Sequence, residues 1–205
     1  MDWRLYHAIY GVSLHHHWLG TFFDDVERAS IPFMLVATVA LWLIARPGGG
    51  RKWKLAAGSG LAAAALALLV NVVLHTIWDR PRPYETHVIR HPWSTSTDAS
   101  FPSDHASASL AIAFAVLAFD VVAGAVLLAA AALIAVGRLF IGAHYPGDVA
   151  ASVLVGAASA LVVVRLGRPV IVRLVALVER ATDPVLRMLW RRAQSPLAAG
   201  PPGQA

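Results

Sequence analysis

Three short clusters of polar residues interrupt a chain that is otherwise strongly apolar. They are His75-Thr-Ile-Trp-Asp-Arg-Pro-Arg-Pro83, Phe101-Pro-Ser-Asp-His105 and Gly137-Arg-Leu-Phe-Ile-Gly-Ala-His-Tyr-Pro-Gly-Asp148. Between Asp104 and Asp148 the only charged residues are Asp120 and Arg138, and a cation within hydrocarbon normally marks a partner or a polar cavity. Arginines, histidines and an aspartate at the ends of apolar segments predict a site that binds an oxyanion.

The second cluster and two arginines have the chemistry of a phosphate site. Planar guanidinium groups match phosphate oxygens, so we expect Arg82 and Arg138 to bind one. Ser103 directly precedes an apolar run and is predicted to be the N-cap of a helix whose first-turn N–H groups and dipole favour an anion. Asp104 either belongs to the same site or is a first-turn acid that complements the helix dipole.

The third cluster pairs a histidine with a carboxylate. His144 and Asp148 are four residues apart. If helical geometry extends back to His144, the carboxylate can hold one imidazole nitrogen and direct the other outward. The sequence thus predicts a nucleophile and the residue that orients it. His105 is a second imidazole, suited to protonating a leaving group.

Composition places these clusters in a membrane protein. Of 205 residues 58% are hydrophobic and 14% charged, with a mean hydropathy of +0.61, far above an ordinary soluble domain. The chain has no cysteine, so helix packing in lipid must stabilise the fold without disulfides. The net charge of +5 lies beside apolar segments, which favours a role in membrane topology over a nucleic-acid partner.

We predict an all-α fold: an integral membrane helical bundle of about five transmembrane helices, with six possible. The expected spans are 29–45, 55–78, 103–119, 121–140 and 146–164. They form a transmembrane domain over 29–168, preceded by an interfacial N-terminal helix over 1–28 and followed by a cytosolic interfacial helix over 169–194 and a disordered tail over 195–205. Aromatic residues recur on one face of the first segment, which suits the headgroup boundary.

The basic loop 46–54 sets the expected orientation. It carries four positive charges and no acidic residue, so the positive-inside rule places it in the cytoplasm. Counting crossings then brings all three polar clusters to the opposite face. We therefore expect a multi-pass protein of the cell membrane with its site on the extracytoplasmic side.

The three clusters together resemble the type-2 phosphatidic acid phosphatase superfamily, whose pattern is Lys-x6-Arg-Pro, Pro-Ser-Gly-His and Ser-Arg-x5-His-x3-Asp. The resemblance implies a phosphohydrolase that forms a phosphohistidine and needs no metal or other cofactor. It implies that His144 is the nucleophile, Asp148 its orienting residue and His105 the general acid. It also implies that the phosphate is bound by Arg82, Ser103 and Arg138.

Three positions depart from the family pattern. His75 replaces the lysine of the first motif, Asp104 replaces a glycine, and Gly137 replaces a serine. A neutral imidazole gives only one hydrogen-bond donor, so His75 supplies less positive charge than lysine, and Arg80 is the candidate to compensate. The Pro-Ser-Asp-His sequence is similar to the bacterial undecaprenyl-diphosphate phosphatases of this superfamily.

The leading hypothesis is therefore a membrane lipid (pyro)phosphatase acting on undecaprenyl diphosphate. Phosphatidylglycerophosphate, phosphatidate and lipid A phosphatases use the same residues and remain alternatives. An alternative of another class is a non-catalytic membrane protein that binds or moves anionic lipids. The expected partners are a lipid phosphate or polyprenyl diphosphate substrate and membrane lipids; the sequence does not predict an oligomeric state.

Overall fold

In the computed structural model all regular secondary structure in the described part of the chain is helical. The described part comprises residues 2–45, 51–89, 93 and 95–194, the last six by their backbone alone. The helices are α1 (Asp2–His15), α2 (His17–Ile44), α3 (Lys52–Ile77), α4 (Pro83–Thr86), α5 (Asp104–Leu117), α6 (Val121–Phe140), α7 (Pro146–Arg165) and α8 (Arg168–Gln194). The predicted all-α membrane bundle is confirmed. The predicted tail 195–205 and residues 46–50 of the basic loop lie outside the described residues.

Four helices, α2, α3, α6 and α7, are long and apolar enough to cross a membrane. The predicted third span corresponds to α5, which is shorter at 14 residues but lies at the centre of the bundle, packed against α3, α6 and α7. Small residues permit this close packing. At Gly156 of α7, an added Cβ would come within 2.9 Å of the Leu110 side chain on α5.

The N-terminal region differs from the sequence prediction. No helix boundary occurs near residue 28, since α2 continues without a break from His17 to Ile44. The aromatic face of α1 packs on the protein instead of facing headgroups: Tyr6 and Tyr10 are buried and form a cluster with Tyr145. The sequence periodicity correctly predicted an amphipathic helix here. Its aromatic face, however, packs against the loop before α7 and not against lipid headgroups.

Ion pairs tie the helices together at the end of the bundle opposite the three motifs. The buried Nζ of Lys54, in the first turn of α3, lies 2.6 Å from Asp183 and 3.4 Å from Glu179 on α8. Lys52 binds Asp120, the N-cap of α6, at 2.6 Å. By composition α8 does not qualify as a membrane span, and it packs against α3 and α7.

Candidate active site

The three sequence motifs meet around one cavity of about 240 Å³. The C-terminal ends of α3 and α6 and the N-terminal ends of α5 and α7 all lie at this end of the bundle, because successive helices run in alternating directions. The lining residues are Glu27, His75, Arg82, Thr95, Ser96, Asp98, Ala99, Pro102, Asp104, His105, Arg138 and His144. Basic and acidic groups therefore face the same small space.

His144 lies on the short loop between α6 and α7 and is almost completely buried. The loop folds back on the end of α6, since the N–H groups of Ala143 and His144 donate to the carbonyl of Arg138 at 3.1 and 3.3 Å. Gly142 has a φ of +79°, a conformation that residues with a Cβ rarely adopt. The turn thus fixes His144 relative to Arg138.

The hydrogen-bond partners of His144 determine which ring nitrogen carries the proton. Nδ1 is 2.7 Å from the carbonyl oxygen of Ser100, which can only accept, so Nδ1 is the donor. Nε2 lies 3.3 Å from Nη1 of Arg82 and 3.1 Å from Nη2 of Arg138. Guanidinium groups can only donate. Both sets of partners leave the lone pair on Nε2, which faces the arginines and the cavity.

Burial lowers the pKa of His144 to about 3, with Arg138 and Arg82 acting in the same direction and Asp148 in the opposite one. The charged imidazolium is disfavoured because the ring is removed from water beside two cations. His144 is consequently neutral at physiological pH. A neutral imidazole whose Nε2 lone pair faces the cavity is a competent nucleophile toward phosphorus.

Asp148 is fully buried behind the ring of His144. Its Oδ2 is 3.7 Å from Nδ1 of His144, too long for a hydrogen bond but within ion-pair range. The same oxygen accepts from the Ser100 hydroxyl at 2.6 Å and from the N–H of Tyr145 at 2.8 Å. The predicted pairing of Asp148 with His144 is therefore electrostatic, and the Ser100 carbonyl makes the direct bond.

Each of the two arginines that face Nε2 is also bound by a carboxylate. Nη1 of Arg138 contacts Glu27 of α2, and Nη2 of Arg82 lies 3.4 Å from Asp98. The Nε of Arg82 additionally donates to the carbonyl of Asp98 at 2.9 Å. These contacts hold both buried guanidinium groups toward the cavity and partly neutralise them.

His105, predicted as the general acid, and His75 and Asp104, predicted to bind substrate, all line the cavity. His105 is in the first turn of α5 and lines the same cavity as Glu27 and His144. His75 Nε2 is 3.2 Å from the carbonyl of Pro102. Asp104 accepts a hydrogen bond of 2.6 Å from Asn71. The asparagine thus holds the carboxylate that occupies the glycine position of the family pattern.

Ser103 and Arg80 are placed differently from the expectation. Ser103 occupies the N-cap position of α5, but its side chain makes no cap hydrogen bond and does not line the cavity. Its backbone N–H donates to the hydroxyl oxygen of Ser152 at 2.9 Å. Arg80 also lies outside the cavity lining; it binds Asp148 at 2.5 Å and Asp2 at 2.6 Å. In this position it supports the carboxylate behind His144.

A family model for the PAP2 superfamily matches residues 56–170, which contain all three motifs. The chain belongs to the PAP2 superfamily. It is a multi-pass membrane phosphatase of this group, as the sequence motifs predicted.

Curated relatives extend the PAP2 match. The chain is 30% identical over 156 residues to the undecaprenyl-diphosphatase BcrC of Bacillus subtilis (strain 168), covering 76% of this chain and 78% of that protein. It is 32% identical over 127 residues to the decaprenylphosphoryl-5-phosphoribose phosphatase of Mycobacterium tuberculosis (strain ATCC 25618 / H37Rv), covering 62% and 68%. The crystal structure of Aquifex aeolicus LpxE has the same fold, with a TM-score of 0.59 and 22% identity over 78% of this chain and 93% of that one.

Several residues around this PAP2 site were not anticipated from the sequence. Ser100 contributes a backbone carbonyl, which no side-chain pattern reveals. Asp2 and Glu27 lie before the matched family segment. The role of Glu27 could have been predicted from the sequence, because an acidic residue on a membrane helix usually has a cationic partner. Within the described residues, no group of three or more acidic or histidine side chains is arranged to hold a metal ion.

Proposed function

We propose that this PAP2 phosphatase hydrolyses undecaprenyl diphosphate and releases orthophosphate through a phosphohistidine at His144. The observation that carries the proposal is the environment of Nε2. The ring is neutral, its proton is held on Nδ1 by Ser100, and two guanidinium groups surround the Nε2 lone pair. A phosphoryl group bonded to Nε2 would place its oxygens among those donors.

In the first step Nε2 of His144 attacks the terminal phosphorus. The N–P bond forms while the bond from phosphorus to the bridging oxygen breaks. Arg82 and Arg138 bind the equatorial oxygens, where negative charge is concentrated in the transition state. The proton of His105 goes to the departing bridging oxygen, leaving undecaprenyl phosphate and neutral His105.

In the second step water attacks the phosphohistidine. His105, now neutral, accepts a proton from the water as its oxygen bonds to phosphorus. The N–P bond breaks, its electron pair returns to Nε2, and orthophosphate leaves. Asp148 stabilises the positive charge that the ring carries while it is phosphorylated.

The size of the cavity supports a lipid whose phosphate group enters alone. At about 240 Å³ it is smaller than the roughly 300–1,000 Å³ pockets that enclose drug-sized ligands. The polyprenyl chain would then stay in the bilayer. Among the relatives, BcrC is named for activity on undecaprenyl diphosphate, and that match spans most of both chains.

We also propose that the site faces the extracytoplasmic side of the cell membrane. Arg51, Lys52 and Lys54 lie at the start of α3, and Arg165 and Arg168 lie where α7 ends and α8 begins. These positions are all at the end of the bundle opposite His144. The positive-inside rule supports a cytoplasmic location for that end.

The test is orthophosphate release by purified protein from undecaprenyl diphosphate, phosphatidylglycerophosphate, phosphatidate and lipid A, each with His144→Ala as the blank. We expect the highest kcat/KM on undecaprenyl diphosphate. A higher value on a glycerolipid phosphate or lipid A would reassign the substrate. Lipid binding without phosphate release from any of the four would support the non-catalytic alternative.

A further inference from the structure

Helix α1 lies outside the residues matched by the family model, yet one of its side chains reaches the loop that carries His144. The Oδ1 atom of Asp2 accepts a hydrogen bond of 2.9 Å from the N–H of Gly147. Its Oδ2 atom binds Nη2 of Arg80 at 2.6 Å. One carboxylate therefore contacts both the first turn of α7 and the arginine of the first motif.

Arg80 connects Asp2 to the centre of the site. Its Nη1 atom lies 2.5 Å from Oδ1 of Asp148, and its guanidinium group lies over the ring of Tyr145, 4.1 Å from the centroid. Asp2, Arg80 and Asp148 thus form a row of alternating charges that ends 3.7 Å from Nδ1 of His144. Exposure of the side chains falls along the row from 31% to 17% to 0%.

The row has an electrostatic consequence. Arg80 alone would cancel the charge of Asp148, leaving a neutral pair behind the imidazole. Asp2 adds a second negative charge, so that the three groups together carry −1. A net negative charge stabilises the positively charged ring of a phosphohistidine, and a neutral pair does so much less.

The docking of α1 keeps Asp2 in this position. The hydroxyl of Tyr6, buried on α1, donates to the carbonyl of Gly142 at 3.3 Å, and Trp3 stacks on His87 with centroids 3.5 Å apart. A Cβ at Gly142 would lie 2.7 Å from the ring of Tyr10. The helix and the His144 loop are therefore shaped to each other.

We infer that Asp2 is a positioning residue of the active centre, whose charge restores the negative character of Asp148 that Arg80 would otherwise cancel. The inference rests on the proposed function, in which His144 is phosphorylated. It assigns a part in the reaction to a helix outside the matched family segment, through a residue that touches neither the cavity nor the substrate.

The test separates charge from hydrogen bonding at this position. Asp2→Asn keeps an oxygen acceptor for Gly147 but removes the charge, whereas Asp2→Glu keeps the charge. We expect Asp2→Asn to lower kcat about ten-fold, as for a partly screened charge, with KM changed less than about two-fold because the cavity is intact. Asp2→Glu should retain most of the kcat of the parent protein. Asp25→Asn, which removes an exposed carboxylate on α2, is the matched control and should match the parent.

A double variant distinguishes an electrostatic role of Asp2 from a structural one. In Asp2→Asn the charge of Asp148 is cancelled by Arg80, so adding Arg80→Gln should restore the negative charge behind the ring and raise kcat above that of Asp2→Asn alone. If both residues were only structural, the second change would lower activity further or leave it unchanged, and the inference would be overturned. Parent-like activity of Asp2→Asn would overturn it as well. Thermal unfolding of each purified variant in detergent identifies any loss of folded protein.

The proposed function is tested independently of the inference. The same proteins are mixed with ³²P-labelled substrate and quenched with acid, and the label that stays on the protein is measured. Absence of label on His144 in the parent protein would defeat the proposed function whatever the Asp2 variants do. Label on the parent together with parent-like Asp2→Asn would defeat only the present inference.

Discussion

The Nδ1 proton of His144 is donated to the backbone carbonyl of Ser100, at 2.7 Å. Asp148, whose Oδ2 atom is 3.7 Å from the same nitrogen, does not hold the tautomer by itself. A backbone carbonyl cannot be removed by a side-chain substitution. The orientation of the imidazole is therefore protected against changes at Asp148.

The first prediction concerns Asp148→Asn. In a serine-protease triad the corresponding change costs roughly 10⁴ in kcat because the wrong tautomer forms. Here the Ser100 carbonyl retains the tautomer and only the charge is lost, so we expect a smaller fall, of about 10². Single-turnover kinetics with the labelled substrate provide the measurement. A loss of 10⁴ or more, as in the triad, would show that Asp148 also fixes the proton.

The second prediction separates the two histidines. His144→Ala removes the attacking atom and should leave no trappable phosphoenzyme, whereas His105→Ala removes only leaving-group protonation, worth typically about 10²–10⁴ in rate. A substrate with an activated aryl leaving group needs no proton, so it should recover most of the His105→Ala defect and almost none of the His144→Ala defect. Equal recovery of both variants would reject the assigned roles.

The third prediction concerns Glu27, which contacts Arg138 and lines the cavity. Its carboxylate competes with phosphate for the same guanidinium group. Glu27→Gln should therefore tighten inhibition by inorganic phosphate about ten-fold, equivalent to roughly 1.4 kcal/mol. Asp24→Asn is the control, since Asp24 pairs with the exposed Arg28 at 2.9 Å and not with Arg138. Weaker phosphate inhibition in Glu27→Gln would mean that Glu27 orients Arg138 instead of competing for it.

The fourth prediction is the pH dependence on the acid side. A buried, neutral imidazole is lost as nucleophile only when pH falls toward its pKa, which burial lowers to about 3. Protonation of His144 should thus cause no decline in kcat/KM near the ordinary histidine value of about 6.5. Arg138→Gln removes a cation that disfavours the charged ring, so it raises the pKa of His144 and moves the acid limb to higher pH. An acid limb that moves to lower pH would contradict the charge assignment.

The fifth prediction tests the proposed orientation. The chain contains no cysteine, so Thr95→Cys introduces a single thiol at the exposed rim of the cavity. It should react with a membrane-impermeant reagent in intact cells. Lys52→Cys, at the opposite end of the bundle, should react only after permeabilisation. The reverse pattern would invert the orientation and exclude hydrolysis of a lipid on the outer leaflet.

The sequence predicted the convergence of His144, Arg138, Arg82 and His105 because motif spacing and helix length together determine which helix ends share a face. Features that depend on tertiary packing were not predictable in the same way. Tyr6 and Tyr10 have the period of an interfacial helix, and the periodicity does not specify whether lipid or protein covers that face. Ser103 takes the predicted N-cap position of α5, but its side chain makes no cap hydrogen bond.

Arg80 illustrates a second limit. Its proximity to Arg82 in sequence suggested a shared role at the phosphate, but the two side chains reach opposite sides of His144. Arg82 faces Nε2, and Arg80 reaches Asp148 behind the ring. Its other partner, Asp2, is 78 residues away in sequence. No local pattern links them.

The short length of α5 makes room for the site. Its 14 residues span about 21 Å, at roughly 1.5 Å per residue, whereas the hydrocarbon core of a bilayer is about 30 Å thick. Helix α6 starts at the same Asp120 turn, and its 20 residues span about 30 Å, so the first turn of α5 stops about 9 Å short of the level that α6 reaches. The cavity therefore occupies the recess that the short α5 leaves beside the end of α6, and an α5 lengthened by two turns would fill the space in front of Nε2.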